Sequence, residues 1–171
     1  MTHTFGSTLT RRTLLMTGVA TALSAGLAPW LHADAATELR LTAATGRARL
    51  VPSPHPETAV WSYDGLVPGP EIRVRQGERL RVVVENRLDE ETTVHWHGVR
   101  VPNPMDGVPH LTQKPIAPGE SFVYEFDCPD AGTFWYHPHQ RSFVQVGRGL
   151  YGPLIVEERE PVPVDRDVTW V

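Results

Sequence analysis

Beyond residue 36, apolar and polar positions alternate with a period of two through most of the chain. In EIRVRQ, Ile72 and Val74 alternate with Arg73 and Arg75. In RLRVVVEN, Leu80, Val82 and Val84 fall on one side and Arg81 and Glu85 on the other. SFVYEFD sets Phe122, Tyr124 and Phe126 on a common face. Successive side chains of a strand point to opposite faces, so each run predicts a half-buried β-strand. Pro68-Gly69-Pro70, Gly77, Pro118-Gly119 and Ala131-Gly132 separate the runs as turns. No segment keeps a helical period over three turns. Short strands between Gly- and Pro-rich turns predict an all-β fold, a Greek-key β-barrel or sandwich. The one long irregular stretch, Gly98 to Pro118, holds Pro102, Pro104, Pro109 and Pro115. It is expected to be an ordered surface excursion.

The first 35 residues break this pattern. Arg11-Arg12 stands directly before an uncharged run from Thr13 to Leu31, rich in Ala, Thr and Gly, and Ala33-Asp34-Ala35 follows with small residues at cleavage spacing. The arrangement resembles a bacterial twin-arginine export signal. Gly18, Ser24, Gly26 and Pro29 dilute the apolar run, so cleavage is expected rather than a stable membrane anchor. The expectation is a signal peptide over 1–35, one domain over 36–160, and an exported protein, periplasmic or extracellular.

A length of 171 residues suits one domain with a proper core. A net charge of -4 with no basic patch argues against nucleic acid as a partner. Cys128 is the only cysteine, which excludes an intrachain disulfide and reads as a small, semi-buried side chain.

Candidate chemistry lies in the histidines. Four of them form two His-x-His pairs, His95-Trp96-His97 and His137-Pro138-His139, at the ends of strand-like runs. Residues i and i+2 of a strand share a face, about 7 Å apart at the backbone. Two pairs on neighbouring strands, packed against Trp96 or Trp135-Tyr136, would aim four imidazoles into one small volume: a metal site. Imidazole alone suits zinc, copper, iron or nickel. The spacing favours ligands shared between ions, unless the rings converge. A cupin-type site would want a glutamate soon after the first pair, and GVRVPNPM has none. An amidohydrolase would need a longer, helix-rich barrel. Pro138 removes a backbone donor, as at a strand end.

LVPGPEIRVRQGERLRVVVEN, TVHWHGVRVPNPMDGVPHLTQKPIAPGESFVYEFDCPDAGTFWYHPHQ and GLYGPLIVEE together resemble the amino-terminal cupredoxin domain of bacterial laccase-like multicopper oxidases, from about Ala59 to Glu158. The resemblance implies that His95 binds a type 2 copper, His97 and His137 one copper of a type 3 pair, and His139 the other. It implies a reaction in which dioxygen is reduced to water while an unidentified substrate is oxidised at a separate type 1 copper. Asp106, in PMDGVPH, is a candidate carboxylate near the cluster, or simply part of an Asp-Gly turn.

Such a cluster needs twice the imidazoles that these two motifs supply, and neither His55 nor His110 lies in a matching motif. A type 1 site is expected to be absent as well. Pro129 follows Cys128, and no methionine occurs beyond Met105. Residues 161–171 read as a linker and, in DVTWV, the start of a second domain. The expected partners are therefore the remaining cupredoxin domains of a longer oxidase. One alternative is a stand-alone periplasmic copper-binding module without oxidase activity. Another is a mononuclear zinc or copper enzyme with three histidines and a water. Trp170 and the segment SFVQVGRGLYG are expected to be left uncovered and to favour association.

Overall fold

The alternating runs become strands. The computed structural model describes residues 37–171, and the expected leader over 1–35 lies outside the described residues. Among the described residues there are eight strands: β1 (Thr37–Ala48), β2 (Thr58–Tyr63), β3 (Ile72–Arg75), β4 (Arg79–Asn86), β5 (His95–His97), β6 (Ser121–Asp127), β7 (Gly132–His137) and β8 (Gly152–Glu157). One short helix, α1 (Ser142–Gly147), joins β7 to β8. The strands form two four-stranded sheets, ordered β2-β1-β4-β6 and β3-β8-β7-β5. β1 runs parallel to β4 and β3 parallel to β8, and the remaining pairs are antiparallel.

Period two decides which face is buried. Leu80, Val82 and Val84 on β4 are fully buried, and the ladder sets them opposite Phe126, Tyr124 and Phe122 of β6. Ile72 and Val74 of β3 and Leu154 and Val156 of β8 face them from the second sheet, in one continuous core. Trp96 of β5 fills the middle, with its ring 5.0 Å from Phe126, 5.5 Å from Tyr124 and 5.9 Å from Tyr136. Burial of an apolar side chain of this kind stabilises the fold by about 1.5–3 kcal/mol.

Three features depart from the sequence pattern or extend it. The longest strand, β1, is rich in Ala and Thr and carries little apolar signal; it is held by its position between β2 and β4, where Leu41 and Ala43 are buried. The excursion after β5 is ordered through a 3-10 turn at Asn103–Met105. The Asn86 side chain pins it by donating to the carbonyls of Glu90 and Ile116. The run DVTWV forms no strand. It has no ladder partner, and the terminal segment is instead tied back by an Asp167–Arg73 ion pair of 2.9 Å.

Candidate metal centre

β5 and β7 pair antiparallel with His95 opposite His137, Trp96 opposite Tyr136 and His97 opposite Trp135. The pleat then separates two sets of side chains. Trp96 and Tyr136 point into the core, both fully buried. His95, His97, Trp135 and His137 share the outer face. Trp96 therefore supports the first pair from the opposite face of the strand and does not lie against its rings. Trp135 does, stacking on His137 at 3.9 Å between ring centres and 23° between planes.

The structure brings all four sequence-predicted histidines together. The His95 ring lies 4.4 Å from that of His139 and 5.5 Å from those of His97 and His137. His137 and His139 are 5.2 Å apart. Ligand nitrogens of His95, His137 and His139 lie within 4.8 Å of one another, the only such cluster among the described residues. Nδ1 of His97 stands 3.3 Å from Nε2 of His137. Two imidazole nitrogens on one tetrahedral ion, each about 2.0–2.1 Å from it, would be about 3.3 Å apart. The rings converge well inside the backbone spacing, so the donor set fits imidazole-binding metals.

Hydrogen bonds fix which nitrogens are free. His95 Nδ1–H donates to the main-chain carbonyl of Asp106 at 2.7 Å, which leaves Nε2 unprotonated. The Asp106 carboxylate lies farther off, at 3.4 Å from the same nitrogen. Asp106 thus acts on His95 chiefly through its backbone. The turn itself is dictated by Gly107, with φ of 75°, where a Cβ would collide with the Val94 carbonyl. Both sequence readings of Asp106 therefore describe one feature. His137 Nδ1–H donates to the Pro138 carbonyl at 3.1 Å, which leaves its Nε2 facing Nδ1 of His97.

Burial first, and then the neighbouring imidazoles, push His137 down to about 4, against an opposing contribution from the Pro138 carbonyl. His139 is lowered in the same sense, by burial and then by His95. Both rings are neutral near pH 7, the form in which imidazole binds metal.

His55 and His110 are exposed and outside the cluster. Cys128 is more deeply buried than semi-buried, within the hydrophobic core. Burial pushes its thiol up to about 11. What the sequence reading missed is the support behind the second pair, Thr92, Thr93 and Gln145. All three are fully buried polar residues, with no periodic signal to mark them.

A family model described as multicopper oxidase matches residues 44–161. The copper resistance protein A homolog of Pseudomonas syringae pv. tomato is 46% identical over 102 residues, covering 60% of this chain and 17% of its own length. Multicopper oxidase MmcO of Mycobacterium tuberculosis is 39% identical over 133 residues, covering 74% of this chain and 26% of its own. Among solved structures, a multicopper oxidase from Pseudomonas thermotolerans gives a TM-score of 0.69 at 56% identity, covering 72% of this chain and 30% of that one. Lac15 from a marine microbial metagenome gives 0.72 at 48% identity, covering 75% and 34%. The chain spans between 17 and 34% of the length of these relatives. The two-sheet architecture is the cupredoxin-like fold expected from the sequence. With the family match running through both sheets and both histidine pairs, the chain belongs to the multicopper oxidase family, as a laccase-like domain.

Proposed function

We propose that this domain supplies half of the histidine ligands of a three-copper cluster. His95 would hold a type 2 copper, His97 and His137 one type 3 copper, and His139 the other. The observation that carries this reading is the convergence of four imidazoles at the β5–β7 end of one sheet, with Nδ1 of His97 and Nε2 of His137 turned toward each other at 3.3 Å. His97 and His139 are exposed on the far side, where further ligands have access. Those would come from other cupredoxin domains of a longer oxidase. Bound there, copper supplies the one-electron chemistry by which dioxygen is reduced to water while a reducing substrate is oxidised at a separate type 1 site. The protein's own part is to orient the His95 and His137 rings, through the Asp106 and Pro138 carbonyls.

Export fits this role. In our reading Arg11-Arg12 heads a twin-arginine signal cleaved after Ala35, and the protein works in the periplasm or outside the cell. Among the described residues no helix is long and apolar enough to cross a membrane. A stand-alone copper-binding module would use the same four histidines, but the match to much longer oxidases favours the shared cluster.

The test is copper binding by the full chain, followed by metal analysis and electron paramagnetic resonance. Wild type is expected to retain copper with imidazole-nitrogen hyperfine structure. The double variant His95→Ala, His139→Ala is expected to lose more than the about 10–100-fold that changing the outer-shell partner of a metal ligand costs, because two ligands themselves are removed. Unchanged binding in the double variant would overturn the assignment.

A further inference from the structure

Of the four histidines, His139 is held differently. β7 ends at His137, and Pro138 has no N–H to continue the ladder. His139 therefore lies outside the sheet, yet its ring sits closest to that of His95. Strand pairing does not account for its position.

What does hold it is a buried polar assembly. The His139 amide donates to Thr93 Oγ1 at 3.2 Å. Two residues on, Arg141 turns the chain into α1 with φ of 43°, and its guanidinium donates to Glu90 Oε2 at 2.6 Å. One turn later Gln145, fully buried, reaches back to the same segment. Its Nε2 donates to Glu90 Oε1 and to the Glu91 carbonyl, both at 2.9 Å. Its Oε1 accepts from Thr92 Oγ1 at 2.8 Å. Both amide protons and an oxygen lone pair of Gln145 are thus spent on residues 90–92, immediately before the first histidine pair. Only a primary amide matches a carboxylate, a carbonyl and a hydroxyl at once. Glutamate would set two carboxylates together, and an aliphatic side chain would take away the Gln145 partner of the buried Thr92 hydroxyl and of the part-buried Glu90 carboxylate.

We propose that Thr93 and Gln145 are positioning residues, a buried clasp that fixes His139 over His95 before any metal binds. The clasp joins the lead-in to β5 with the segment leaving β7, across the end of the sheet where ladder bonds stop. Its consequence for metal binding rests on the copper reading above; its effect on the metal-free chain does not.

The experiment uses the full chain and three variants, Thr93→Val, Thr93→Ser and Gln145→Met, with near-UV circular dichroism to verify folding. The first readout is hydrogen exchange at the His139 amide in metal-free protein, with Val94 as internal control. The second is Cu²⁺ affinity with its paramagnetic resonance spectrum. Thr93→Val is expected to speed His139 exchange about three- to tenfold, as for loss of one hydrogen bond, without the same change at Val94. Thr93→Ser is expected to restore it. Gln145→Met, whose hydrogen bonds go to residues 90–92, is expected to reproduce the effect indirectly and to weaken Cu²⁺ binding in step. If folded Thr93→Val leaves His139 exchange unchanged, the clasp is refuted; should the valine variant not fold, unchanged exchange in Gln145→Met refutes it equally. If exchange responds while copper affinity does not, the positioning role is refuted. If wild type binds no Cu²⁺ but exchange responds as stated, the clasp stands and the copper reading falls.

Discussion

The outer face of the first sheet and the β5–β7 end of the second follow the same period-two rule and end in opposite chemistry. On the first sheet, Arg79 pairs with Glu125 and Asp127, Arg81 with Glu38 and Glu125, and Arg87 with Glu85. Each exposed charge meets its opposite, so the face is solvated and chemically quiet. On the second sheet, the β5–β7 end presents four groups of one kind, which cannot neutralise one another. His137 is held far below the ordinary imidazole range, first by burial and then by the neighbouring rings. Pairing of unlike groups makes a surface inert, whereas crowding of like groups, left unsatisfied by the protein itself, makes a site.

The comparison holds only if both faces rest on one core, and Trp96 is where they meet. It lies directly behind the histidines and against Tyr124 and Phe126 of the opposite sheet. Trp96→Ala is expected to cost about 3–5 kcal/mol of unfolding free energy, the largest effect foreseen, read from urea denaturation. Trp96→Phe should cost clearly less. A loss under about 1 kcal/mol for the alanine variant would mean that the sheets are joined elsewhere and that the two faces are independent structures.

Much of this was legible in the chain, and the limits have a physical cause. Alternation tells which face a side chain takes, and β3, β4 and β6 formed where it said, with Ile72, Val74, Leu80, Val82, Val84, Tyr124 and Phe126 buried. The histidine pairs were readable for the same reason, because i and i+2 must share a face. Alternation is silent about partners. It did not reveal β1, whose Ala- and Thr-rich sequence becomes a strand through its neighbours. The expectation that Trp96 packs against the rings overlooked this same alternation, which sends it to the core. The hold on His139 was invisible because it depends on buried hydrogen bonds between segments about fifty residues apart, as in the Thr92–Gln145 bond.

Protonation sharpens the contrast from the histidine side. The His137 ring titrates near 4 in the folded chain and near 6.5 when unfolded. As pH falls, the unfolded state binds its proton first. The contribution of His137 is therefore fully present above the unfolded value and is lost as pH falls through the folded one. The metal-free chain should lose at most about 3 kcal/mol of stability across this window. Replacing His137 by Gln should flatten the slope, as measured by urea unfolding at a series of pH values. A slope that persists in the variant would place the responsible group elsewhere, and the burial of His137 among its neighbours would not be its cause.

The smallest effect belongs to the quiet face, and its smallness is the point. Arg81 contacts Glu38 and sits 3.6 Å from Glu125, and its side chain is one-third exposed. In so wet a setting Coulomb attraction is screened, and holding long side chains in one geometry offsets much of what remains. Arg81→Met keeps the aliphatic stem over the sheet and removes only the charge. It should change stability by less than about 1 kcal/mol, and by less still in high salt, in urea titrations at two ionic strengths. Copper affinity should stay as in wild type, because no hydrogen bond links Arg81 to residues 90–95 or 137–145. A larger loss, or any shift in copper binding, would show that the charged face supports the histidine end, and the division of labour between the two sheets would have to be abandoned.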